Sequence, residues 1–422
     1  MSRRSWKKRY LEIPETERDP ADVLVGFNAN IDVVHTAEDV DLEDTEPELK
    51  EKLSSMDDLK KALKYCIDNK ENHEVDKEDF DVEIEGEDSI GGQAGIISNF
   101  LAKTGNGTIF YTPLLSEELS QMLEENILYP VTEKKFILKN VRDAANTDRT
   151  KKNHIFEFKN GKTGRMIVSD HLKGFGPYFR KGIEDNLEAI DQNINCAIVS
   201  GFHDASGNTE AKMKKSASQL QKIDSPVHLE YVHKNRKLNS HVLRHILPQV
   251  DSIGLDETEL RKISELTSIE DAGEKINLGE AFDFAKKMIE RYDLSRVHIH
   301  TYRYHLAVLP KNYHCSPDHV KNSMMYGEIA AIQMAQNGEI PDISQIKAFD
   351  MDGKHIHDLD ELENFGDYFD VDDFSREGIA HIDGYTAVAI PTVIVENPVK
   401  TVGMGDIISA ASFTSEFKSA SR

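Results

Sequence analysis

The feature that most constrains the fold is a regular alternation of strands and helices from about residue 185 to the end of the chain. Apolar strands separated by helices indicate βαβ units, in which a mostly parallel sheet is covered by helices on both faces. The fold class expected for the main part of the chain is therefore α/β. The expected strands are 196–201, 227–231, 252–255, 296–300, 306–309 and 387–395, and the expected helices lie near 210–223, 256–266, 279–292 and 323–337.

Two earlier stretches interrupt this pattern. The first is acidic and contains one helical segment, and the second alternates apolar and polar side chains in short runs, which is typical of antiparallel strands. We expect the two stretches to pair with each other and form a smaller β-sheet domain. The predicted division is a large α/β domain from 20–37, 90–129 and 183–422, and a small domain from 38–89 and 130–182.

Polar side chains lie in or just after several of the expected parallel strands, where ligands bind in sheets of this kind. His228 and Glu230 share one face of a strand, while Asp256 and Glu259 follow the next strand. Carboxylates at strand ends can converge on a hard cation, and Mg²⁺ carried by a nucleotide is the usual one. The alternative for Asp256 and Glu259 is a capping box at the start of a helix.

A glycine-rich segment near the end of the chain, Thr401-Val402-Gly403-Met404-Gly405-Asp406, precedes a run of apolar and small residues. Two glycines one residue apart allow a tight turn, and a helix starting there would direct backbone N–H groups at a phosphate or an oxyanion. Asp406 would then lie beside an anion hole, where a carboxylate can accept a proton from a hydroxyl. The alternative is an ordinary helix N-cap.

Two polar segments near the beginning of the chain are candidates for binding a sugar. Asn28, Asn30 and Asp32 alternate after the first strand, and two amides with one carboxylate suit the vicinal hydroxyls of a sugar. Gly92 and Gln93 precede a helix and can present N–H groups and a side-chain amide to a ligand. The alternatives are a turn rich in Asn and Asp, and an ordinary helix start.

The net charge of −24 limits the class of partner. Such a surface repels nucleic acid and anionic membranes, and no apolar run is long enough to span a bilayer. The three cysteines lie far apart and indicate reduced thiols in a cytoplasm. The acidity itself fits either an ordinary solvated surface or a salt-tolerant source. A basic cluster in this acidic chain, Lys173, Arg180 and Lys181, is either a phosphate-binding patch or local charge balance.

Together the motifs resemble a known family. Seven stretches occur in the family's order: Gly26-Phe27-Asn28-Ala29-Asn30-Ile31-Asp32, Gly91-Gly92-Gln93-Ala94-Gly95-Ile96, Val199-Ser200-Gly201-Phe202-His203, His228-Leu229-Glu230, Asp256-x-x-Glu259, His298-x-His300-Thr301 and Thr401-Val402-Gly403-Met404-Gly405-Asp406. The chain resembles the archaeal ADP-dependent glucokinases and 6-phosphofructokinases, a branch of the ribokinase-like fold. The resemblance extends over nearly the whole chain, from Val23 onward.

The resemblance implies a large α/β domain with a β-sheet lid, ADP as phosphoryl donor and Mg²⁺ as cofactor. It assigns the role of catalytic base to Asp406 and that of anion hole to the backbone of Gly403 and Gly405. It assigns the metal to Glu230 and Glu259. The residues implied to bind the sugar are Asn28, Asn30, Asp32, Gly92 and Gln93, and those implied to contact the nucleotide are His300, Thr301, Val402 and Gly403. Asp256 departs from the family, in which we expect Asn, so its metal role is left open.

The resemblance leaves two acceptors to consider. Glu74 in the small domain would favour glucose, whereas Lys173 and Arg180 would bind the 6-phosphate of fructose 6-phosphate. We expect an enzyme that accepts both, with phosphofructokinase activity favoured as in methanogenic archaea. The alternatives are a glucokinase only, a catalytically silent sugar or nucleotide sensor, and an ATP-dependent ribokinase-type kinase. We expect a cytoplasmic monomer or weak homo-oligomer.

Overall fold

The computed structural model describes residues 2–15, 19–78, 80–132, 134–159, 163–269 and 276–417. Its strands are β1 (Asp22–Gly26), β2 (Asn30–Thr36), β3 (Lys52–Leu53), β4 (His73–Lys77), β5 (Glu87–Gly91), β6 (Gly107–Tyr111), β7 (Leu128–Thr132), β8 (Phe136–Asn140), β9 (Lys152–Lys159), β10 (Thr163–Ser169), β11 (Cys196–Val199), β12 (Val227–Glu230), β13 (Ser252–Asp256), β14 (Arg296–His300), β15 (Tyr304–Pro310), β16 (Lys354–Ile356), β17 (Ile379–Ile382), β18 (Tyr385–Pro391) and β19 (Val393–Val395).

Its α-helices are α1 (Ser2–Glu12), α2 (Met56–Asn69), α3 (Gln93–Lys103), α4 (Glu117–Gln121), α5 (Val141–Ala144), α6 (Lys181–Glu184), α7 (Leu187–Asp191), α8 (Thr209–Leu220), α9 (Arg236–His241), α10 (Glu257–Thr267), α11 (Leu278–Tyr292), α12 (Pro317–Asn337), α13 (Ile343–Lys347), α14 (Asp360–Phe369), α15 (Phe374–Glu377) and α16 (Met404–Thr414). Among the described residues, none of these helices has both the length and the apolar character needed to cross a bilayer.

The predicted α/β architecture is confirmed by a large sheet of 11 strands with flanking helices. The strand order is β17-β18-β15-β14-β13-β12-β11-β1-β6-β7-β8. The run from β14 to β7 is parallel, and β1 lies in register between β11 and β6, with Gly26 opposite both Val199 and Tyr111. The carboxyl ends of these strands therefore share one edge, as the sequence predicts.

One side of the sheet differs from the expected βαβ pattern. The sequence predicts 306–309 and 387–395 as further parallel strands, but β15 and β18 are antiparallel to their neighbours. Only residues 301–303 separate β14 from β15, and a parallel return would need a crossover of a dozen or more residues. The expected strand 387–395 is also divided, because β19 leaves β18 and pairs with β16 in a separate two-stranded sheet.

A second sheet has six strands in the order β3-β4-β10-β9-β2-β5. β9 and β10 are antiparallel, and β10 pairs with β4, so the two interrupting stretches do pair with each other. The sheet membership differs from the predicted boundaries at four strands. β2 joins the small sheet although it falls in 20–37, and β8 joins the large sheet although it falls in 130–182. β5 and β7 cross the predicted boundaries at 89/90 and 129/130, β5 in the small sheet and β7 in the large one.

The membership of β2 in the small sheet has a local cause. β2 follows β1 after only three residues, so one short segment serves both sheets. The pattern of a short strand at a domain boundary specifies its buried face but not its neighbours, so it does not decide which sheet the strand joins.

Two helix boundaries also differ from expectation. α3 begins at Gln93, so this residue lies in the helix and not in the preceding loop. α4 ends at Gln121, whereas the sequence predicts a helix as far as residue 126. The side chain of Asn99 accounts for this end, because it donates to the Met122 carbonyl at 2.8 Å and accepts the Glu124 N–H at 3.0 Å. These bonds replace the continuation of the helix.

Helix packing brings the glycine-rich segment to the sheet edge. α16 is apolar on its buried side and crosses α12 closely. A Cβ at Gly327 of α12 would lie 2.8 Å from the carbonyl oxygen of Ile408, so only glycine allows this approach. The small sheet has its own core beneath α2, formed by residues such as Leu59, Leu63 and Met166.

Candidate active site

Three neighbouring parallel strands bring polar residues to one edge of the large sheet. β12 ends at Glu230, β13 ends at Asp256 and β14 ends at His300. The register places Asp256 directly opposite His300. The structure therefore groups three of the residues that the sequence predicts to lie together.

The carboxylate of Glu230 is buried and is held by two histidines. Its Oε2 lies 3.2 Å from Nε2 of His228, and its Oε1 lies 3.6 Å from Nε2 of His300. Burial alone would raise the pKa of Glu230, but the two histidines lower it to about 2. Gly254 leaves the necessary space, since a Cβ there would lie 2.4 Å from Oε2 of Glu230. Glu230 is therefore a fixed, ionised carboxylate at the sheet edge.

Asp256 and Glu259 form the capping box that the sequence leaves open as an alternative. Oδ1 of Asp256 accepts the Glu259 N–H at 2.7 Å, and Oε2 of Glu259 accepts the Asp256 N–H at 2.8 Å. Each carboxylate keeps a second oxygen. Burial, followed by the charges of Asp256, Glu230 and Asp406, raises the pKa of Glu259 well above its usual value. Such a concentration of like charge suits a divalent cation, which would relieve the repulsion.

α16 begins beside these carboxylates. Gly403, its N-cap, has a φ of +84°, in the left-handed region that glycine adopts without strain. In this first turn the N–H of Ile407 donates to the carbonyl of Gly403 at 3.1 Å. The N–H groups of Met404, Gly405 and Asp406 precede this bond, so they belong to the part of a helix that binds anions.

Gly405 allows the first turn of α16 to contact β14. A Cβ at Gly405 would lie 3.0 Å from Cε1 of His300. Burial would lower the pKa of His300, but the carboxylates of Glu230, Asp256 and Asp406 raise it above its usual value. A positive charge on His300 is therefore favoured between the acidic edge and the glycine-rich turn.

Asp406 is half-buried and faces the first turn of α3. The side-chain amide of Gln93 donates a hydrogen bond to its carboxylate. Burial and the charge of Glu230 raise the pKa of Asp406 to about 8, although Gln93 and His300 act in the opposite direction. A carboxyl group with a pKa near the working pH accepts a proton from an alcohol more readily than an ordinary carboxylate does.

Asn30 and Asp32 are buried against the glycine loop that precedes α3. Nδ2 of Asn30 donates to Oδ1 of Asp32 at 2.6 Å. A Cβ at Gly91 would lie 2.4 Å from Oδ2 of Asp32, and Gly92 has a φ of +73°. Both glycines are thus needed for this close approach, and the pair occupies the same neighbourhood as Asp406, whose pKa Asp32 raises.

Asn28 has a more structural environment. Its Oδ1 accepts the hydroxyl of Ser200 at 2.9 Å and the N–H of Ala94 at 3.4 Å. It therefore connects the end of β1 to β11 and α3. The predicted sugar contact is left to its amide nitrogen.

A cavity opens beside Asn28, where the segments after β1, β6 and β11 meet those flanking β9 and β10. Its lining contains Asn28, Ala29, Thr112, Leu114, Arg149, Lys151, His171, Leu172, Phe175 and Asp204. Nζ of Lys151 lies 2.8 Å from Oδ1 of Asp204, and Nη2 of Arg149 lies 3.0 Å from both carboxylate oxygens of Asp170. No sequence motif singles out these two cations, although the basic run Arg149-Thr150-Lys151-Lys152 is visible before β9.

The predicted basic cluster is placed elsewhere. Lys173, Arg180 and Lys181 are exposed, and none of them lies in the cavity lining just described. The guanidinium of Arg180 lies 3.5 Å from Asp148. Phe179 is buried, and the adjacent Arg180 lies on the opposite, exposed side of the chain. The cavity lining therefore contains Arg149 and Lys151 but none of the three cluster residues, and the phosphate contact of that cluster stays a prediction.

Glu74 lies on β4 of the small sheet and is paired with the large sheet. Its Oε1 accepts from Oγ of Ser169 at 2.8 Å and from Nζ of Lys234 at 2.9 Å. Burial acts to raise the pKa of Glu74, yet the charge of Lys234 brings it below its usual value. Lys234 follows β12, so this ion pair joins the two sheets.

Thr301 is part of the turn between β14 and β15. Its hydroxyl donates to the Tyr304 carbonyl at 2.8 Å and accepts the N–H groups of Arg303 and Tyr304 at 3.1 and 3.0 Å. The hydroxyl is therefore engaged within the turn, and its predicted contact with the nucleotide stays a prediction. Tyr302 in the same turn is exposed, and its ring lies 5.6 Å from the ring of His357.

Comparison with known proteins places this geometry in a family. The family model described as the ADP-specific phosphofructokinase/glucokinase conserved region matches residues 21–415. The chain belongs to this family. The match confirms the family that the seven sequence stretches indicate.

Similar proteins in the ADP-specific phosphofructokinase/glucokinase family carry names for two activities. The ADP-specific phosphofructokinase of Thermococcus kodakarensis is 30% identical over 359 residues, covering 77% of this chain and 76% of the relative. The ADP-dependent glucose/glucosamine kinase of Pyrococcus furiosus is 24% identical over 436 aligned positions, covering 94% of each. A solved ADP-dependent kinase in complex with fructose-6-phosphate and ADPbetaS is 26% identical, with a TM-score of 0.81 and 98% and 97% of the two chains covered.

Proposed function

We propose that this protein transfers the β-phosphoryl group of ADP to the 1-hydroxyl of fructose 6-phosphate, giving fructose 1,6-bisphosphate and AMP. Family membership supports the reaction type. The observation that supports a phosphorylated acceptor is the cavity lined by Arg149 and Lys151. The charge of Lys151 lowers the pKa of Asp32, and the charge of Asp32 raises the pKa of Asp406, so the cavity lies close to the proposed base. A sugar with its hydroxyl at Asp406 would therefore have its other end near two cations.

Asp406 is proposed as the general base. Its raised pKa and its position at the start of α16 suit proton removal from the attacking hydroxyl. The N–H groups beside Gly403 and Gly405 would stabilise the charge of the transferring phosphoryl group. Asn30 and Asp32 would hold the sugar hydroxyls.

The donor would lie over β12, β13 and β14. Glu230, Glu259 and the second oxygen of Asp256 would hold Mg²⁺. Burial, followed by the neighbouring carboxylate charges, raises the pKa of Glu259, and a cation that relieves this repulsion would fit the site. When bound, the cation neutralises phosphate charge and orients the phosphates. His300 and the segment Val402–Gly403 would contact the nucleotide. Tyr302 offers an exposed ring on which a purine can stack.

Glucose is proposed as a second acceptor because Glu74 lies close to the same cavity. The pKa values of Glu74 and of the cavity residue Asp204 both respond to His203, which places the two carboxylates in one electrostatic neighbourhood. We further propose that the six-stranded sheet acts as a lid over the acceptor. Mg²⁺ as the metal, a cytoplasmic location and a monomeric or weakly oligomeric state remain predictions.

One assay tests the proposal. Purified protein is incubated with Mg²⁺, with ADP or ATP as donor, and with fructose 6-phosphate or glucose as acceptor. We expect AMP formation with ADP and fructose 6-phosphate, a lower kcat/KM with glucose, and little turnover with ATP. A protein that binds sugar and nucleotide without forming AMP would instead be a sensor. Preference for ATP would favour the ribokinase-type alternative.

A further inference from the structure

Lys234 occupies an unusual position for a lysine. It lies four residues beyond Glu230, at the ligand-binding edge of the large sheet, yet its side chain reaches the small sheet. Nζ lies 2.9 Å from Oε1 of Glu74 and 3.7 Å from Oδ1 of Asp76. Three quarters of the side chain is buried, with 25% exposed, so the ammonium is held in place and not freely solvated.

The backbone around Lys234 is anchored without its side chain. The N–H groups of Lys234 and Asn235 both donate to Oδ1 of Asn239, at 3.1 and 3.0 Å. Asn239 is itself buried. Removal of the ammonium should therefore leave the loop in place.

The ion pair lies next to the acceptor cavity. His171 lines the cavity, and its Nε2 lies 2.6 Å from Oδ1 of Asp76, the second carboxylate beside Lys234. Asp204 also lines the cavity, and its charge is one of those that raise the pKa of Lys234. Lys234 is thus one residue removed from the space in which the sugar would bind.

Each member of this ion pair matches a different acceptor. A carboxylate accepts hydrogen bonds from a sugar hydroxyl, whereas an ammonium donates to a phosphate. While Lys234 holds Glu74, an unphosphorylated sugar must compete with a charge-assisted hydrogen bond to reach the carboxylate. A sugar phosphate instead offers Lys234 a new anion.

We propose that Lys234 determines acceptor specificity: it keeps Glu74 in an ion pair and moves to the phosphate of a phosphorylated hexose, thereby favouring fructose 6-phosphate over glucose. This inference rests on the proposed function of the same site. It assigns the phosphate a third cation in addition to Arg149 and Lys151.

The test is the substitution Lys234→Met, which keeps an unbranched side chain of similar length. We expect the ratio of kcat/KM for fructose 6-phosphate to kcat/KM for glucose to fall by about tenfold or more. Tenfold corresponds to the smallest usual contribution of a charge-assisted hydrogen bond. Fructose 6-phosphate turnover should fall while glucose turnover rises. Loss of stability alone would lower both. A ratio within about threefold of wild type would overturn the proposal.

Two further variants make the test specific. Nζ of Lys222 lies 3.1 Å from Oε1 of Glu184, and neither residue lines the cavity. Lys222→Met should therefore leave the ratio unchanged. In a Glu74→Gln background, Lys234→Met should no longer improve glucose turnover, because the carboxylate that it releases is absent. Persistence of the gain would contradict the role of Glu74.

Failure of the proposed function can be separated from failure of this inference. If the wild-type protein turns over neither sugar, the proposed kinase activity is wrong. Calorimetric titration of each sugar into wild-type protein and into Lys234→Met would still measure the ratio of the affinities for fructose 6-phosphate and glucose. Absence of a shift toward glucose in that ratio would overturn the specificity proposal by itself.

Discussion

At the residue scale, the protonation of Asp406 depends on its surroundings more than on its chemical type. Burial, followed by the charge of Glu230 at the same sheet edge, raises its pKa to about 8. Gln93 and His300 hold the ionised form in part. The same residue in a solvated helix N-cap would be a weak base.

Asp406→Asn tests the proposed base directly. The change keeps size and most hydrogen bonding but removes the proton acceptor, so we expect kcat to fall by about 10²–10⁴-fold. The affinity for ADP and the melting temperature should change little, because the backbone N–H groups and Glu230 remain. Near-wild-type kcat would identify Asp406 as a helix cap, and an unfolded variant would show that its role is structural.

At the scale of single elements, the turn between β14 and β15 shows how a predicted ligand contact can be a structural bond. Three hydrogen bonds of the Thr301 hydroxyl close the turn that reverses the chain at the active-site edge. They help to position His300 immediately before the turn. The contribution of Thr301 is therefore expected in stability.

Thr301→Val removes the hydroxyl and keeps the branched shape. Because buried backbone N–H groups then lose their acceptor, we expect a loss of about 1–3 kcal/mol in the free energy of unfolding. Denaturant unfolding measures the loss, and Thr301→Ser, which keeps the hydroxyl, should restore most of it. If Thr301→Val instead raised the KM for ADP at unchanged stability, direct nucleotide binding would be the better account.

The small sheet contains a buried pair of histidines, His35 and His154. Nε2 of His35 lies 3.0 Å from Nδ1 of His154, and the ring of His35 stacks on Phe156 at 4.5 Å. Burial, followed by the charge that His35 would carry, lowers the pKa of His154 to about 4. Both rings are therefore neutral in the folded protein near pH 7.

This pair should make the protein sensitive to acid. Below the ordinary histidine pKa of about 6.5 the unfolded chain binds a proton that folded His154 does not, so stability is lost as the pH falls from about 6.5 toward 4, by at most about 3 kcal/mol. We expect denaturant unfolding to show a smaller pH dependence in His154→Asn than in wild type. The exposed His381 provides the control, since His381→Asn should follow wild type. Parallel curves for all three proteins would contradict this role.

At the scale of the whole molecule, charge dominates the surface. Acidic residues exceed basic ones by 24, and many of them lie on the exposed faces of the small sheet and of α14. Much of the buried charge, by contrast, is paired, as in Arg296 with Glu416 and Lys151 with Asp204. Long-range repulsion is thus expected mainly between surface groups, where salt screens it.

The surface charge predicts a response to salt. The Debye length falls to about 3 Å at 1 M, so repulsion between separate exposed acids should largely disappear. We expect the melting temperature to rise as KCl increases toward molar concentration. Sucrose at matched osmolality serves as a comparison for general exclusion effects. A melting temperature that is flat or falls with KCl would indicate that the acidity is ordinary solvated surface.

Local motifs could be predicted because they depend on neighbours in the sequence. The strand ends at Glu230 and His300, the capping box at Asp256 and the helix start at Gly403 each follow from residues within one or two turns. Order along the chain then indicated the family. These parts of the site needed no knowledge of which distant segments meet.

The tertiary structure decided what depends on contacts between distant segments. β2 and β9 belong to segments far apart in the chain, so only their pairing shows that they share the small sheet. Charged residues are equally ambiguous, because a cation on a loop can face a cavity or the solvent. Lys173 and Arg180 are exposed, whereas the side chains of Lys151 and Lys234 are mostly buried beside carboxylates from other segments of the chain. Long-range packing, which alternation and charge do not encode, fixes the acceptor end of the site.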